Sequence, residues 1–294
     1  RLLPSKPDPG WQIAMKIAGG RSLPHAPIGL SIGLEQSVLL VWDRNGGVTL
    51  FNQAAEIQAS AQFTGLIQGG LSADGSTPAV LLANGTLLLL RQDLSVRLEI
   101  AAGETSRAFA IDNHGHHLAI SHSTGELCFW SGLGQKGKRV ELPRPAIHLA
   151  FAVEHPWLAF TAESGLAGCA DINGSIRWRE GLAHNLGPIS MAGGSGHWFV
   201  PCFSGGLIRF GPLGPPHVSI KGITICRSVA VNHTGSRLFV VGNHGEISIL
   251  DDTGKPVSSL TIPAAITAVA SDPLGRFAVL GLEDKRVLWV HPPS

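Results

Sequence analysis

Apolar residues in this chain come in short runs separated by clusters of Gly, Asn, Asp and Ser. One stretch shows the pattern most fully: Ala108-Phe109-Ala110-Ile111, the turn Asp112-Asn113-His114-Gly115, then Leu118-Ala119-Ile120-Ser121, the turn Ser123-Thr124-Gly125, and Glu126-Leu127-Cys128-Phe129-Trp130. Runs of this length bounded by such turns predict strands joined as hairpins, because Asn, Asp and Gly tolerate the positive φ that tight turns need. No amphipathic run is long enough to predict a helix pair.

The pattern has a period. Turn glycines fall at Gly85, Gly125, Gly165, Gly205 and Gly245, each 40 residues after the last, with Gly46 one residue out of phase and Lys285 standing where the next Gly would be. A second series, Gly70, Ala110, Ala150, Ser190, Ala230 and Ala270, keeps the same step and is uniformly small, with Leu30 as its one large member. Between these series lie strand-length apolar runs at constant phase, such as Trp157-Leu158-Ala159-Phe160 and Arg237-Leu238-Phe239-Val240. A four-stranded antiparallel unit of about 40 residues is the size of one β-propeller blade. Seven such units fit the 294 residues, so the expected fold is all-β: a seven-bladed β-propeller of four-stranded antiparallel blades. The small series suits innermost strands crowded around the axis. Its large neighbours Phe109, Leu149, Ile189, Val229 and Val269 suit the space between blades.

Phase also predicts how the ring closes. Outer strands are expected near Ile57, Leu98, Val140, Trp178, Val218 and Ser258, so the seventh would fall near position 298, past the end of the chain. One full ring earlier is position 18, beside the alternating stretch Trp11-Gln12-Ile13-Ala14-Met15-Lys16-Ile17. Residues 11–18 are therefore expected to pair with Val287-Leu288-Trp289-Val290 as the outer strand of blade seven, since a bare edge would leave backbone groups unpaired. The domain reading is residues 1–10 as a linker or N-terminal extension and 11–294 as one propeller. The chain opens on Arg1-Leu2-Leu3-Pro4, without Met or a signal-peptide pattern, which leads us to expect an upstream segment.

On these residues the chain resembles a divergent WD-repeat β-propeller, from about Trp11 to His291. The family's Trp-Asp pair closes the third strand of a blade. Here Trp130-Ser131 keeps its first residue, while Ala170-Asp171 and Leu250-Asp251 keep its second. The literal pair Trp42-Asp43 falls before Gly46, at another phase. The resemblance implies a non-catalytic protein-protein interaction scaffold, a subunit or domain of a larger assembly.

Composition narrows the chemistry. Gly and Pro number 37 and 19, which disfavours long helices, and 44% hydrophobic against 15% charged residues argues for a large core. The net charge of +1 and the absence of a basic stripe argue against a nucleic-acid partner, and no apolar run approaches membrane-spanning length. Lys136-Gly137-Lys138-Arg139, the one compact basic run, reads as a solvated loop. Cys128, Cys169, Cys202 and Cys226 sit in strand-like contexts without a C-x-x-C pair and read as buried free thiols. The compartment carries no signal; the cytoplasm is favoured.

The inner strands carry no paired carboxylates, and Asp112, Asn232 and Asp272 precede turns where they would bond local backbone. Thirteen histidines raise a metal reading, but His114, His155 and His233 stand on turns of separate blades, which diverge around a ring. No catalytic residue, metal site or cofactor is expected. The candidate partner-binding rim is Trp157, His117, His197 and Arg237, which share one register position, with Trp157 expected to be partly exposed among polar neighbours. The alternative is a small-molecule or metal-binding sensor or enzyme that uses the central funnel or a histidine-bearing rim.

Overall fold

The computed structural model describes residues 15–33, 35, 38–203 and 206–293. Twenty-eight strands, numbered in chain order, form seven four-stranded antiparallel sheets arranged in a ring. β1 (Lys16–Ser22) comes first. Blade one follows as β2–β5 (27–62), blade two as β6–β9 (66–101), blade three as β10–β13 (106–141) and blade four as β14–β17 (146–181). Blade five is β18–β21 (190–220), blade six β22–β25 (228–261), and β26–β28 (266–291) begin blade seven. Among the described residues the one helical element is a single 3₁₀ turn, Glu163–Gly165.

Each blade starts at the axis and runs outward. The turns joining inner to second strand and third to outer strand lie on one side of the disc, called here the first face. The turns joining second to third strand, and the connections between blades, lie on the second face. Where the small inner series meets its neighbour, the fit is close: a Cβ on Gly70 would stand 3.0 Å from Cζ of Phe109, the large residue of the next blade. The core therefore lies between blades. Ala119, Leu127 and Phe129 of blade three share one cluster with Leu158, Phe160 and Ala162 of blade four. Fully burying one such Phe contributes about 2–3 kcal/mol.

Blade seven is completed by the start of the chain. β1 pairs antiparallel with β28 (Arg286–His291), from Lys16↔His291 through Ile17↔Val290 to Ser22↔Arg286. Position 18, reached by phase, lies inside this strand. Its limits are Lys16–Ser22 and not the expected 11–18, and residues 11–14 lie outside the described residues. The alternating apolar pattern misplaced the strand because all seven residues of β1 are exposed, so the edge position asks for no buried face.

The turn series holds at the described positions. Gly46, Gly85, Gly125, Gly165 and Gly245 all have positive φ, and Lys285 takes φ 73° in their place; in blade five Gly206 has positive φ, and the expected Gly205 lies outside the described residues. At Gly85 the need is steric as well, since a Cβ would collide with the carbonyl of Gly103. A third series went unread in the sequence: Gly134, Gly174, Gly214 and Gly254, again 40 apart, all at positive φ in the turns from third to outer strand. The residue three before each, where it is polar, organises the turn. Asp171 Oδ1 accepts from the backbone N–H of Asn173 and Ser175, both at 2.9 Å, and Asp251 Oδ1 does the same for Thr253 and Lys255. Asp43 Oδ1 likewise takes Asn45 and Gly47 N–H in its own turn. The three aspartates matched to the Trp-Asp pair thus each cap a local turn.

The basic run departs from expectation. Lys136-Gly137-Lys138-Arg139 is not a loop but opens β13 (Lys136–Glu141), the exposed outer strand of blade three. Lysines on an outer strand shield an otherwise sticky edge.

Candidate functional site

The four rim residues do share a register position. His117 and Trp157 open β11 (His117–His122) and β15 (Trp157–Ala162), Arg237 opens β23 (Arg237–Val241), and His197 immediately precedes β19 (Trp198–Cys202). They therefore line the first face on blades three to six. His117 is part-buried, with Nδ1 2.8 Å from Asp112 Oδ2. Arg237 is also part-buried, and its Nη1 donates to the carbonyl of Gly275 in the next blade at 2.7 Å. Burial, and then Arg209, hold the His197 imidazole below the usual histidine range.

Trp157 departs from expectation. Only 2% of it is exposed. Its indole turns inward into the cluster of Ala159, Cys169 and Val200, with the His155 ring stacked outside it at 6.4 Å. Register fixes where the backbone stands, and polar residues at the equivalent positions were read as exposure of that place. A large apolar ring there gains more by folding between blades.

What the first face exposes instead is leucine. Leu133, Leu213 and Leu274 are 81%, 93% and 68% exposed, each at a turn tip directly before a positive-φ glycine, Gly134, Gly214 or Gly275. That Leu-Gly signal was available in the sequence, but apolar residues were assigned to the core. Around them stand the turn histidines. His114 Nδ1 is 3.4 Å from Asp74 Oδ2 of the neighbouring blade, its ring 5.8 Å from that of His116. Burial works against the Asp74 charge, yet bonds from Ser72, Ser76 and His114 hold its carboxyl below the usual range. His233 Nε2 reaches Glu154 Oε1 at 2.9 Å, from blade six to blade four. The second face exposes Phe203 (63%) and Ile225 (53%) near the blade five–six seam.

The axis is an open channel of about 640 Å³ lined by all seven inner strands. Side chains cross between blades along it. The Gln68 amide donates to the Phe109 carbonyl and accepts from its N–H, both at 3.0 Å; Ser190 Oγ accepts from Val231 N–H at 3.0 Å; Thr267 Oγ1 donates to the Pro27 carbonyl at 2.6 Å. His148 also lines the channel, and burial pushes its imidazole down to about 4, so it is neutral at pH 7.

Asp112, Asn232 and Asp272 take local backbone N–H groups as expected: His116, Arg237, and Leu274 with Arg276. All four cysteines are buried and free, and burial pushes the Cys169 and Cys226 thiols up to about 12. Among the described residues no three His, Cys, Asp or Glu side chains converge as metal ligands would, and no helix is long and apolar enough to cross a membrane. The fold and the channel define a seven-bladed β-propeller. Compared with protein-family models and with curated proteins, the chain matches none.

Proposed function

We propose that the protein is a non-catalytic scaffold for protein-protein interaction, a WD-repeat relative acting within a larger assembly and receiving partners on its first face. The observation that carries this reading is the trio Leu133, Leu213 and Leu274, spread over blades three, five and seven on one side of a rigid disc. Burying a leucine contributes about 1.5–3 kcal/mol, which a partner spanning the face would recover. Blades of 40 residues and an N-terminal strand that completes the last blade support the WD-repeat kinship. His117 and Arg237 stand on the same face, on blades three and six, and would supply polar contacts at the rim.

Affinity capture with quantitative mass spectrometry tests the reading. Wild-type protein is compared with Leu133→Asp/Leu213→Asp/Leu274→Asp, with His117→Ala/Arg237→Ala, and with the second-face pair Phe203→Asp/Ile225→Asp. The leucine variant is expected to lose a defined set of partners at unchanged melting temperature. Retention of every partner by both first-face variants sinks the proposed surface.

A further inference from the structure

We propose that the central channel is a binding site for an apolar monocarboxylate, its carboxylate held by Arg107 and His148 near the second face and its hydrocarbon body lying along the axis. This does not rest on the docking surface, which lies on the opposite side of the disc.

Charge is the first argument. The protein has 21 acidic residues, yet the channel lining contains none and includes one charged side chain, Arg107. Its walls are otherwise mixed: Leu30, Ile111, Leu149 and Val269 supply apolar surface, and Gln68, Ser190 and Thr267 supply polar groups that are engaged between blades. The volume lies within the range that encloses small organic ligands.

Internal repetition supplies the second argument, because each polar group can be compared with its equivalent in another blade. Gln68 and His148 follow the bulge of β6 (Leu66–Leu71) and β14 (Ala146–Phe151) at the same place: Gln68 pairs with Leu81, and His148 with Thr161. Both hydrogen-bonding ends of Gln68 are taken by the Phe109 backbone of the next blade. In blade five the residue equivalent to Phe109 is Ile189, just outside the two-residue inner strand β18 (Ser190–Met191), and among the described residues the His148 side chain makes no hydrogen bond, while its backbone pairs with Thr161. A neutral imidazole keeps one N–H donor, and it does not repel a cation beside it.

Position brings the two groups together. Arg107 lies on β10 (Ser106–Ile111), and β10 and β14 are the inner strands of adjacent blades, so Arg107 stands one register place above His148 across a single seam. Arg107 leans over that seam, since its Nη1 reaches Glu163 Oε1 of blade four at 2.5 Å. This contact uses one of the five donors of a guanidinium, which leaves a fork for a second carboxylate.

Calorimetric titration at pH 7 tests the site. Decanoate and naphthalene-2-carboxylate are the acid probes, naphthalene-2-carboxamide and 2-(aminomethyl)naphthalene the neutral and cationic ones. One-site binding of either acid is expected, and which acid binds better separates an aliphatic from an aromatic ligand. The amide should bind about tenfold more weakly and the amine not at all. Arg107→Gln should weaken acid binding about tenfold, His148→Leu about threefold, and Glu163→Gln should tighten it about threefold by removing the competing carboxylate. Ala150→Trp should abolish binding by filling the channel; Arg107→Gln, an exposed position, keeps the test open if that variant does not fold. Arg139→Gln, on an outer strand, should change nothing. Failure of both acids to bind at millimolar concentration, equal affinity for the amine, or acid binding unaffected by Arg107→Gln overturns the proposal.

Discussion

Blades five and seven both fall short of the pattern that blade three keeps, at opposite ends and with different repairs. Blade seven lacks an outer strand of its own and obtains a full-length one from the start of the chain, so the repair is a ladder of backbone hydrogen bonds. Blade five lacks most of an inner strand: β18 has two residues where β10 has six. Pro188, which has no N–H to offer a ladder, and the pair Gly193-Gly194 flank it. No strand is borrowed there. Blade five's own Ser190 side chain and the backbone of blade six close the gap: Val231 N–H donates to Ser190 Oγ, and Gly194 N–H donates to the His233 carbonyl at 2.9 Å. The His233 ring crosses over the two glycines to Glu154, joining blades four and six across blade five. A Cβ on Gly193 would stand 2.5 Å from its Nδ1. Farther out, Trp198 and Phe210 stack at 4.3 Å, with Trp178 of blade four 5.8 Å from Trp198. An outer edge, open to solvent, has room for a whole strand; at the crowded axis the repair is a few single bonds to the next blade.

Breaking the backbone repair should have the largest effect. Removing residues 1–22 bares the edge of β28, and differential scanning calorimetry should show the melting temperature falling by roughly 10 °C or more, with aggregation. A truncated protein that melts at the full-length temperature would refute closure through β1. Next comes the stack of blade five. Trp198→Ala empties a fully buried site and should cost about 3–5 kcal/mol in chemical denaturation.

Burial of the His148 imidazole beside blade five sets a pH effect. Its folded pKa, about 4, lies below the unfolded value of 6.5, so the unfolded chain binds a proton first as pH falls. The stabilisation is complete above pH 6.5 and lost between 6.5 and 4, by as much as about 3 kcal/mol. Denaturation midpoints across that window should drop in the wild type and drop less in His148→Gln, which restores the side chain that serves blade two. Smallest is the clasp. Glu154 is largely exposed, so Glu154→Ala should cost about 0.5–1 kcal/mol. Gly193→Ala should uncouple the same pair in a double-mutant cycle without removing a charge.

The parts legible in the sequence were those fixed by backbone geometry. Left-handed turns demand glycine or a tolerant substitute, and close approach at the axis demands small residues, so spacing gave seven blades and a closing strand at position 18. Side-chain direction left no such trace. Trp157 turns inward from a position that His117 and Arg237 fill at the rim, and the Leu133 side chain is held outward by the turn that Gly134 makes. Edge strands were the weakest reading, in β1 and β13 alike, because a strand with solvent on its free side needs no alternation. The channel site was hidden for a further reason. His148 matters because of the backbone that blade five fails to bring to it, and that shortfall is a property of a neighbour 40 residues away.

β1, from Lys16, pairs with the strand that contains His291, which gives ring closure a place in time. During synthesis β1 emerges first and has no edge to join until almost the whole propeller has been made. Six blades can assemble from neighbouring sequence, while the seventh waits for the longest-range strand pairing among the described residues, of the kind that folds slowly. Until that moment the nascent ring carries two unsealed edges, and a cell making this protein has to keep them apart from those of other copies.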